Sequence, residues 1–383
     1  MSEGMSTSTL YPFEYPDGTK RLTKIPGPYT KLDSLLVASS SLFLVGSVVW
    51  VPFLFLRAIR RYWRLRADDN DSPEELEWKK KRRRIVGSLI LMATVVIGMG
   101  PHRTERLGEW TKIRKWRFWK SWLRFVSLEV IQACGGGRST TPNAGGTALT
   151  FDVTKDPAIL AIIPHGLFPF ALAFPALGTE DTVRAFGRFR TVVATATKYF
   201  PFINTVLAWL GAVDASRSAV SKTLSLGDRI GLAPGGIAEM FEGYPKPNTH
   251  PDDEYTILAN RKGFIRMAIQ HNVPVVPIYA FGATKLFKRF QLPEVFETVS
   301  KMLRISICVF FGRFGLPIPF RQRLLYVMGC PVFPPDIGDV AVGSEEYRRL
   351  VDDMHAKFSE RLLDLFDRHK ASYGWGHKTL KII

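Results

Sequence analysis

Ile162-Ile163-Pro164-His165-Gly166 ends an apolar run on an imidazole. An imidazole titrates close to neutral pH, so His165 could take a proton from an alcohol. The carboxyl end of an apolar strand is where α/β sheets place ligands. Pro164 removes a ladder donor, and Gly166 lets a second group approach closely. The chain has seven histidines, and His165 alone has this framing; His271 ends a helical pattern, while His355 and His369 fall within the last one. Position alone leaves an alternative open, a hydrogen-bonded structural histidine at a strand end.

Downstream, Leu232-Ala233-Pro234-Gly235-Gly236-Ile237-Ala238-Glu239 leads a strand into a paired-glycine turn and on toward a helix. Backbone N–H groups around Gly235 and Gly236 could face an oxyanion or a phosphate. Glu239 could orient His165 and stabilise its imidazolium form. Taken alone, the block also fits a plain turn with a surface carboxylate. A third block, Arg261-Lys262-Gly263-Phe264-Ile265-Arg266, precedes a strand at Val273–Tyr279. Lys262 and Arg266 share a helical face, with Arg261 near the helix start. Such cations could hold phosphates; a solvated basic face is the ordinary alternative. There is no GxSxG elbow, no GxxxxGK[ST] loop and no GxGxxG after a strand, and no Cys/His set has zinc spacing.

These residues need a sheet to position them. Ala158–Ile163, Thr191–Ala196, Arg229–Ala233, Val273–Tyr279, Ile305–Phe311 and Leu324–Met328 are short apolar runs bounded by Gly or Pro. Helical patterns lie between several of them. The last, Glu345 to His369, repeats apolar residues at three- or four-residue steps. The expected fold is α/β, a sheet covered by helices. Ahead of it, Ser34 to Leu56 carries no charge. At about 1.5 Å per residue it could cross a hydrocarbon core of about 30 Å. Ile85 to Pro101 is a shorter uncharged run, and the linker between the two holds eleven basic and six acidic residues. The positive-inside rule pulls this linker and the basic flank after the second run to the same side, which favours a hairpin insertion. Trp110 to Ile131 interleaves aromatics with cations, as in the lipid headgroup zone. The expected division is an irregular tail over 1–33, a membrane hairpin over 34–101, an interfacial segment and Gly/Ser/Thr linker over 102–150, and a catalytic domain over 151–383.

Lys and Arg exceed Asp and Glu by 52 − 35 = 17, which favours an anionic partner. Neighbouring apolar runs argue against nucleic acid. Cys134, Cys308 and Cys330 show neither a disulfide framework nor metal spacing, so a reducing compartment or a cytosol-facing domain is expected.

In this order the three blocks resemble the type-2 diacylglycerol acyltransferases, a family that includes monoacylglycerol and wax-alcohol acyltransferases. The family's HPHG is matched by Ile163-Pro164-His165-Gly166, and its GG-x-x-E by Gly235, Gly236 and Glu239. Its R-x-GF-x-R/K-x-A … VP-x-x-x-FG block is matched from Arg261 to Gly282. The resemblance spans roughly residues 155 to 375, and it departs where Ile163 replaces the first His. It implies a glycerolipid-acyltransferase-like fold and acyl-CoA as co-substrate, with no resident cofactor or metal. His165 would be the general base and Glu239 its orienter. Gly166, Gly235 and Gly236 would supply oxyanion donors. Arg261, Lys262 and Arg266, with Arg217 as a further candidate, would hold coenzyme A phosphates. Diacylglycerol would be the acceptor, with monoacylglycerol or a long-chain alcohol as alternatives. Glycerophosphate acyltransferases would have Asp five positions after the His, where this chain has Phe170; that favours a neutral acceptor. Membrane lipids are implied as partners at the endoplasmic reticulum and lipid droplet surface. Homo-oligomerisation and a non-catalytic role in binding anionic lipid stay open at this point.

Overall fold

The computed structural model describes residues 14–25, 27–66, 71–99, 109–134, 140–142, 148–303 and 308–383. Short apolar runs meet in one eight-stranded mixed sheet. From edge to edge its strands are Lys20–Lys24, Glu129–Gln132, Leu325–Met328, Val275–Phe281, Ile159–Ile163, Ile230–Leu232, Arg190–Val193 and Val213–Asp214. The last five are mutually parallel, so their carboxyl ends share one edge of the sheet.

Ile159–Ile163 and Val275–Phe281 are buried at every position because both faces of the sheet are covered. Side chains alternate between the faces. Leu160, Ile162, Val276 and Ile278 pack toward Trp122, Phe125 and Phe174. Ile159, Ala161, Ile163, Tyr279 and Phe281 pack under the helices Gly263–Gln270 and Glu345–Tyr373. Each large side chain so buried contributes about 1.5–3 kcal/mol. The C-terminal helix starts where Ser344 caps Tyr347 N–H and stops at Gly374, which is left-handed.

Several expectations fail, and each fails for a physical reason. The region read as an irregular tail holds the strand Lys20–Lys24, paired antiparallel with Glu129–Gln132; residues 1–13 lie outside the described residues. Both strands complete the main sheet, so a boundary at 151 cuts through it. The aromatic stretch read as interfacial is divided. Trp110 and Trp116 are exposed, but Trp122 and Phe125 belong to the core. Most of the expected linker, and the start of the expected strand Ile305–Phe311, lie outside the described residues. Cys134 and Cys330 form a disulfide with Cα atoms 5.5 Å apart, against the expectation of none. Glu129–Gln132 and Leu325–Met328 run parallel as neighbours, so both cysteines leave the sheet side by side despite a sequence separation of 196.

The uncharged run Ser34–Leu56 is also not one helix. Helix α1 (Lys31–Leu44) and helix α2 (Ser47–Arg64) meet at a 48° bend. Thr30 and Asp33 form a capping box at the start of α1. Asp33, Val37 and Ser41, at four-residue steps, are buried against the catalytic body. Trp122 Nε1 donates to Ser40 Oγ at 3.1 Å, and Ser41 donates to the Pro317 carbonyl at 2.5 Å. Beyond the bend α2 exposes Val49, Phe53, Leu54 and Leu56. Helix α3 (Pro73–Met99) carries the cationic run in its first half and the second apolar run in its second. No single described helix is long and apolar enough to cross a membrane; the bent pair α1–α2 passes that test together.

Candidate active site

His165 follows Ile159–Ile163 at the carboxyl edge of the parallel strands. The Ile163–Pro164 bond is cis. Gly166 has a φ of +73°, and a Cβ there would lie 3.0 Å from the Ala283 carbonyl oxygen. Glycine therefore lets the His165 loop rest on the turn that follows Val275–Phe281. His165 Nδ1 lies 2.8 Å from the Gly166 carbonyl oxygen. A carbonyl only accepts, so Nδ1 carries the proton and Nε2 keeps its lone pair. Burial pushes the imidazole pKa below its usual value, opposed by the bond to Gly166. The ring is thus neutral at physiological pH, with Nε2 as a ready base.

Glu239 does not orient this ring. Its Oε2 accepts the His165 backbone N–H at 2.7 Å, while Thr256 donates its hydroxyl to Oε1. The Ile257 N–H also binds this carboxylate. Only 6% of Glu239 is exposed. Burial raises its pKa, while the bonds from Thr256, His165 and Ile257 and the charge of Arg261 lower it. The turn folds this way because Gly235 has no side chain; a Cβ there would meet the Glu239 carboxyl carbon at 2.8 Å. Residues Gly236–Phe241 form a 3-10 turn in place of the expected helix. The Gly236 N–H donates to Ala233 O at 3.1 Å, so it is already engaged. The candidate oxyanion donors therefore narrow to Gly166 and Gly235.

Phe170, where a second carboxylate would stand in a glycerophosphate enzyme, is 5% exposed and stacked on Phe174 at 5.2 Å. Trp122 lies 4.9 Å from it. This apolar cluster leaves the Gly166 carbonyl as the partner of His165 Nδ1.

The expected cations separate. Lys262 Nζ is paired with Asp352 Oδ1 at 2.8 Å, turned toward the C-terminal helix. The pair engages Lys262 at the surface, apart from Arg261 and Arg266. Arg261 and Arg266 are exposed, and the charge of Arg261 reaches Glu239. Arg217 starts the helix Arg217–Ser225 and donates to Gln270 Oε1 at 3.3 Å. Gln270 is one turn beyond Arg266, which puts both arginines beside the same helix.

Other supports escaped the motif reading. The strand Asp253–Thr256 pairs in parallel with Thr379–Ile382. Its alternation sends Glu254 and Thr256 to one face. Thr256 holds Glu239. Glu254, 3% exposed, accepts from Lys285 and Lys378 at 3.0 Å each and from Thr284 at 2.8 Å. Thr284 and Lys285 follow the FG step at Phe281-Gly282 after one residue, Ala283, and that proximity is the one sequence signal pointing to them. His355 and His369 each place a ring nitrogen on a backbone carbonyl within the core packing. Among the described residues, no three His, Cys, Asp or Glu side chains could hold a metal ion.

A neutral imidazole past a strand end, with a buried carboxylate fixing its backbone, can serve as a general base. The family model described as Diacylglycerol acyltransferase matches residues 148–383. This chain belongs to that family. It is 28% identical to human Acyl-CoA wax alcohol acyltransferase 2 over 299 residues, covering 72% of this chain and 78% of that one. It is 26% identical to human Diacylglycerol O-acyltransferase 2 over 294 residues, covering 72% and 68%. The crystal structure of the 1-acyl-sn-glycerophosphate acyltransferase PlsC from Thermotoga maritima aligns with 86% of this chain and 97% of its own, at 14% identity and a TM-score of 0.34.

Proposed function

We propose that this chain transfers a fatty acyl group from acyl-coenzyme A to the hydroxyl of diacylglycerol, giving triacylglycerol and free coenzyme A. The observation that carries the reading is the tautomer at His165. Its Nδ1–H is committed to Gly166, which leaves Nε2 basic at the carboxyl edge of the sheet. Nε2 takes the acceptor's proton as the hydroxyl oxygen attacks the thioester carbon. The oxyanion so formed is met by the N–H groups of Gly166 and Gly235. Collapse of the intermediate breaks the carbon–sulfur bond, and the imidazolium returns the proton to the leaving thiolate. Glu239 acts on the backbone of His165 and not on the ring. It fixes where Nε2 stands. Exposed Arg261, Arg266 and Arg217 are the candidates for the phosphates of coenzyme A.

The apolar face of α2 and the second half of α3 support membrane embedding, and the proposed locations are the endoplasmic reticulum membrane and the lipid droplet surface. Full release of the chain by alkaline carbonate would remove that part of the proposal.

A long-chain alcohol is the second acceptor to weigh, because the wax alcohol relative matches at 28% and the diacylglycerol relative at 26%. Membranes carrying the chain, supplied with labelled acyl-coenzyme A and a panel of diacylglycerol, monoacylglycerol and long-chain alcohol, decide the acceptor. Triacylglycerol as the main product is expected. A wax ester as the main product replaces the acceptor, and no product with any acceptor overturns the activity.

A further inference from the structure

The cations of α2 and α3 are not spread evenly. Lys80, Arg84 and Ser88 stand at four-residue steps on α3, and so do Arg83, Gly87 and Leu91 in the adjoining row. Two neighbouring rows of this kind occupy one helix face. That face closes against Tyr62 of α2. Together these residues line an open cleft of about 430 Å³.

The walls are graded. Along α3 the three cations come first, Ser88 next and the exposed Leu91 last. From Lys80 to Leu91 the drop along the helix is about 16 Å at 1.5 Å per residue. The Tyr62 ring lies 3.1 Å from where a Gly87 Cβ would stand, so the missing side chain at Gly87 makes room for that ring against α3. The Arg83 guanidinium lies over the Tyr62 ring at 4.7 Å, and its Nε is buried with no hydrogen-bond partner. Lys80 has a partner in Glu77 at 3.1 Å, but both are open to water, where such a pair is weak. Arg84 is exposed.

We propose that the α2–α3 cleft binds the phosphate of an anionic membrane lipid, with Lys80, Arg83 and Arg84 on the headgroup and Leu91 against the start of its acyl chains. Guanidinium forks match phosphate oxygens in pairs, and basic pockets between membrane helices suit anionic headgroups. A bound phosphate would give the buried Arg83 Nε the acceptor it lacks. The proposal rests on the reading of α2 and α3 as membrane-embedded. It adds a lipid site distinct from the one where the acceptor reacts.

The test uses the purified full-length chain in vesicles of phosphatidylcholine containing a small fraction of photoactivatable phosphatidic acid. Labelling is expected to map to α2 and α3. Arg83→Gln with Arg84→Gln should cut it about tenfold, the scale for losing a charge-assisted hydrogen bond. Arg57→Gln with Arg60→Gln removes the same charge from exposed positions outside the cleft and should leave labelling nearly unchanged. Because Arg83 also packs on Tyr62, Arg84→Gln alone serves as a second variant and should weaken labelling without disturbing that contact. Equal losses in the two double variants would show a diffuse charge effect and overturn the site. Displacement by millimolar inorganic phosphate or coenzyme A would show that a soluble phosphate is the ligand and overturn the lipid assignment. Resistance to both, with the cleft variants impaired, supports it. Retention of every variant in neutral phosphatidylcholine vesicles separates headgroup capture from insertion; loss of the wild-type chain from those vesicles would instead undo the membrane reading beneath the proposal.

Discussion

The sheet edge around His165 and the α2–α3 hairpin are built on opposite plans. At the sheet edge nearly every polar group has an internal partner. Glu239 is held by three donors, Glu254 by two lysines and a threonine, and His165 by its own neighbour's carbonyl. The strands beneath are buried on both faces. In the hairpin the large apolar side chains Phe53, Leu54, Leu89 and Leu91 face outward, and most of its cations do too. One region carries its environment inside the fold, and the other depends on an environment outside it. Substitutions should therefore be read differently in the two places.

The largest expected contrast is chemical. His165→Ala should cut acyl transfer by about 10²–10⁴-fold, as for a lost general base, while leaving expression and membrane association intact. Near-normal turnover in this variant would break the assignment of the base. The next contrast is in stability. Trp122, 2% exposed, packs between α1 and the sheet, so Trp122→Ala should cost about 3–5 kcal/mol in thermal or denaturant unfolding. Phe53, 60% exposed, should tolerate Ala within about 0.5 kcal/mol in detergent. Similar losses at both positions would erase the distinction between the regions.

A smaller effect separates the cations near the site. Arg266→Ala or Arg261→Ala should raise the KM for acyl-coenzyme A by about tenfold and leave the KM for the lipid acceptor nearly unchanged. Lys262→Ala should do neither, because it breaks a surface pair with Asp352 worth about 0–1 kcal/mol. A KM shift at Lys262 alone would reverse that division. The mildest prediction concerns pH. Burial lowers the His165 pKa, so the basic form persists to more acidic pH than for a free imidazole. The rate should stay level as pH falls through 6.5, where a free imidazole titrates, and decline only below it. A decline centred above that value would show that a different group limits the reaction.

Much of the site could be read directly from the residues. His165 after an apolar strand, the paired glycines before Glu239 and the block from Arg261 to Gly282 are local patterns, and local patterns survive in a sequence. The missed parts are pairings over long separations. Lys20–Lys24 is a charged run of five residues that becomes a strand because Glu129–Gln132 lies beside it. The Cys134–Cys330 bond exists because two strands are neighbours. Thr256 and Glu254 sit in a polar segment with no apolar alternation, so nothing marks them as buried. The bend between α1 and α2 went unseen because hydropathy averages over it, whereas the buried Asp33, Val37 and Ser41 tie only the first helix to the body. Helical spacing puts Lys262 and Arg266 on one face but does not say that Lys262 meets Asp352 there.

The strand Thr379–Ile382, which braces Asp253–Thr256, has a bearing on how the protein is made. A ribosome delivers the hairpin first, then His165, then Glu239, and only much later the residues that pin Thr256 against that carboxylate. Until that last strand is made, His165 is present but the support that reaches it through Thr256 and Glu239 is not. An appendage fused directly after Ile383 would press on His165 through three hydrogen-bonded steps, from Ile383 to Thr256, from Thr256 to Glu239 and from Glu239 to the His165 backbone.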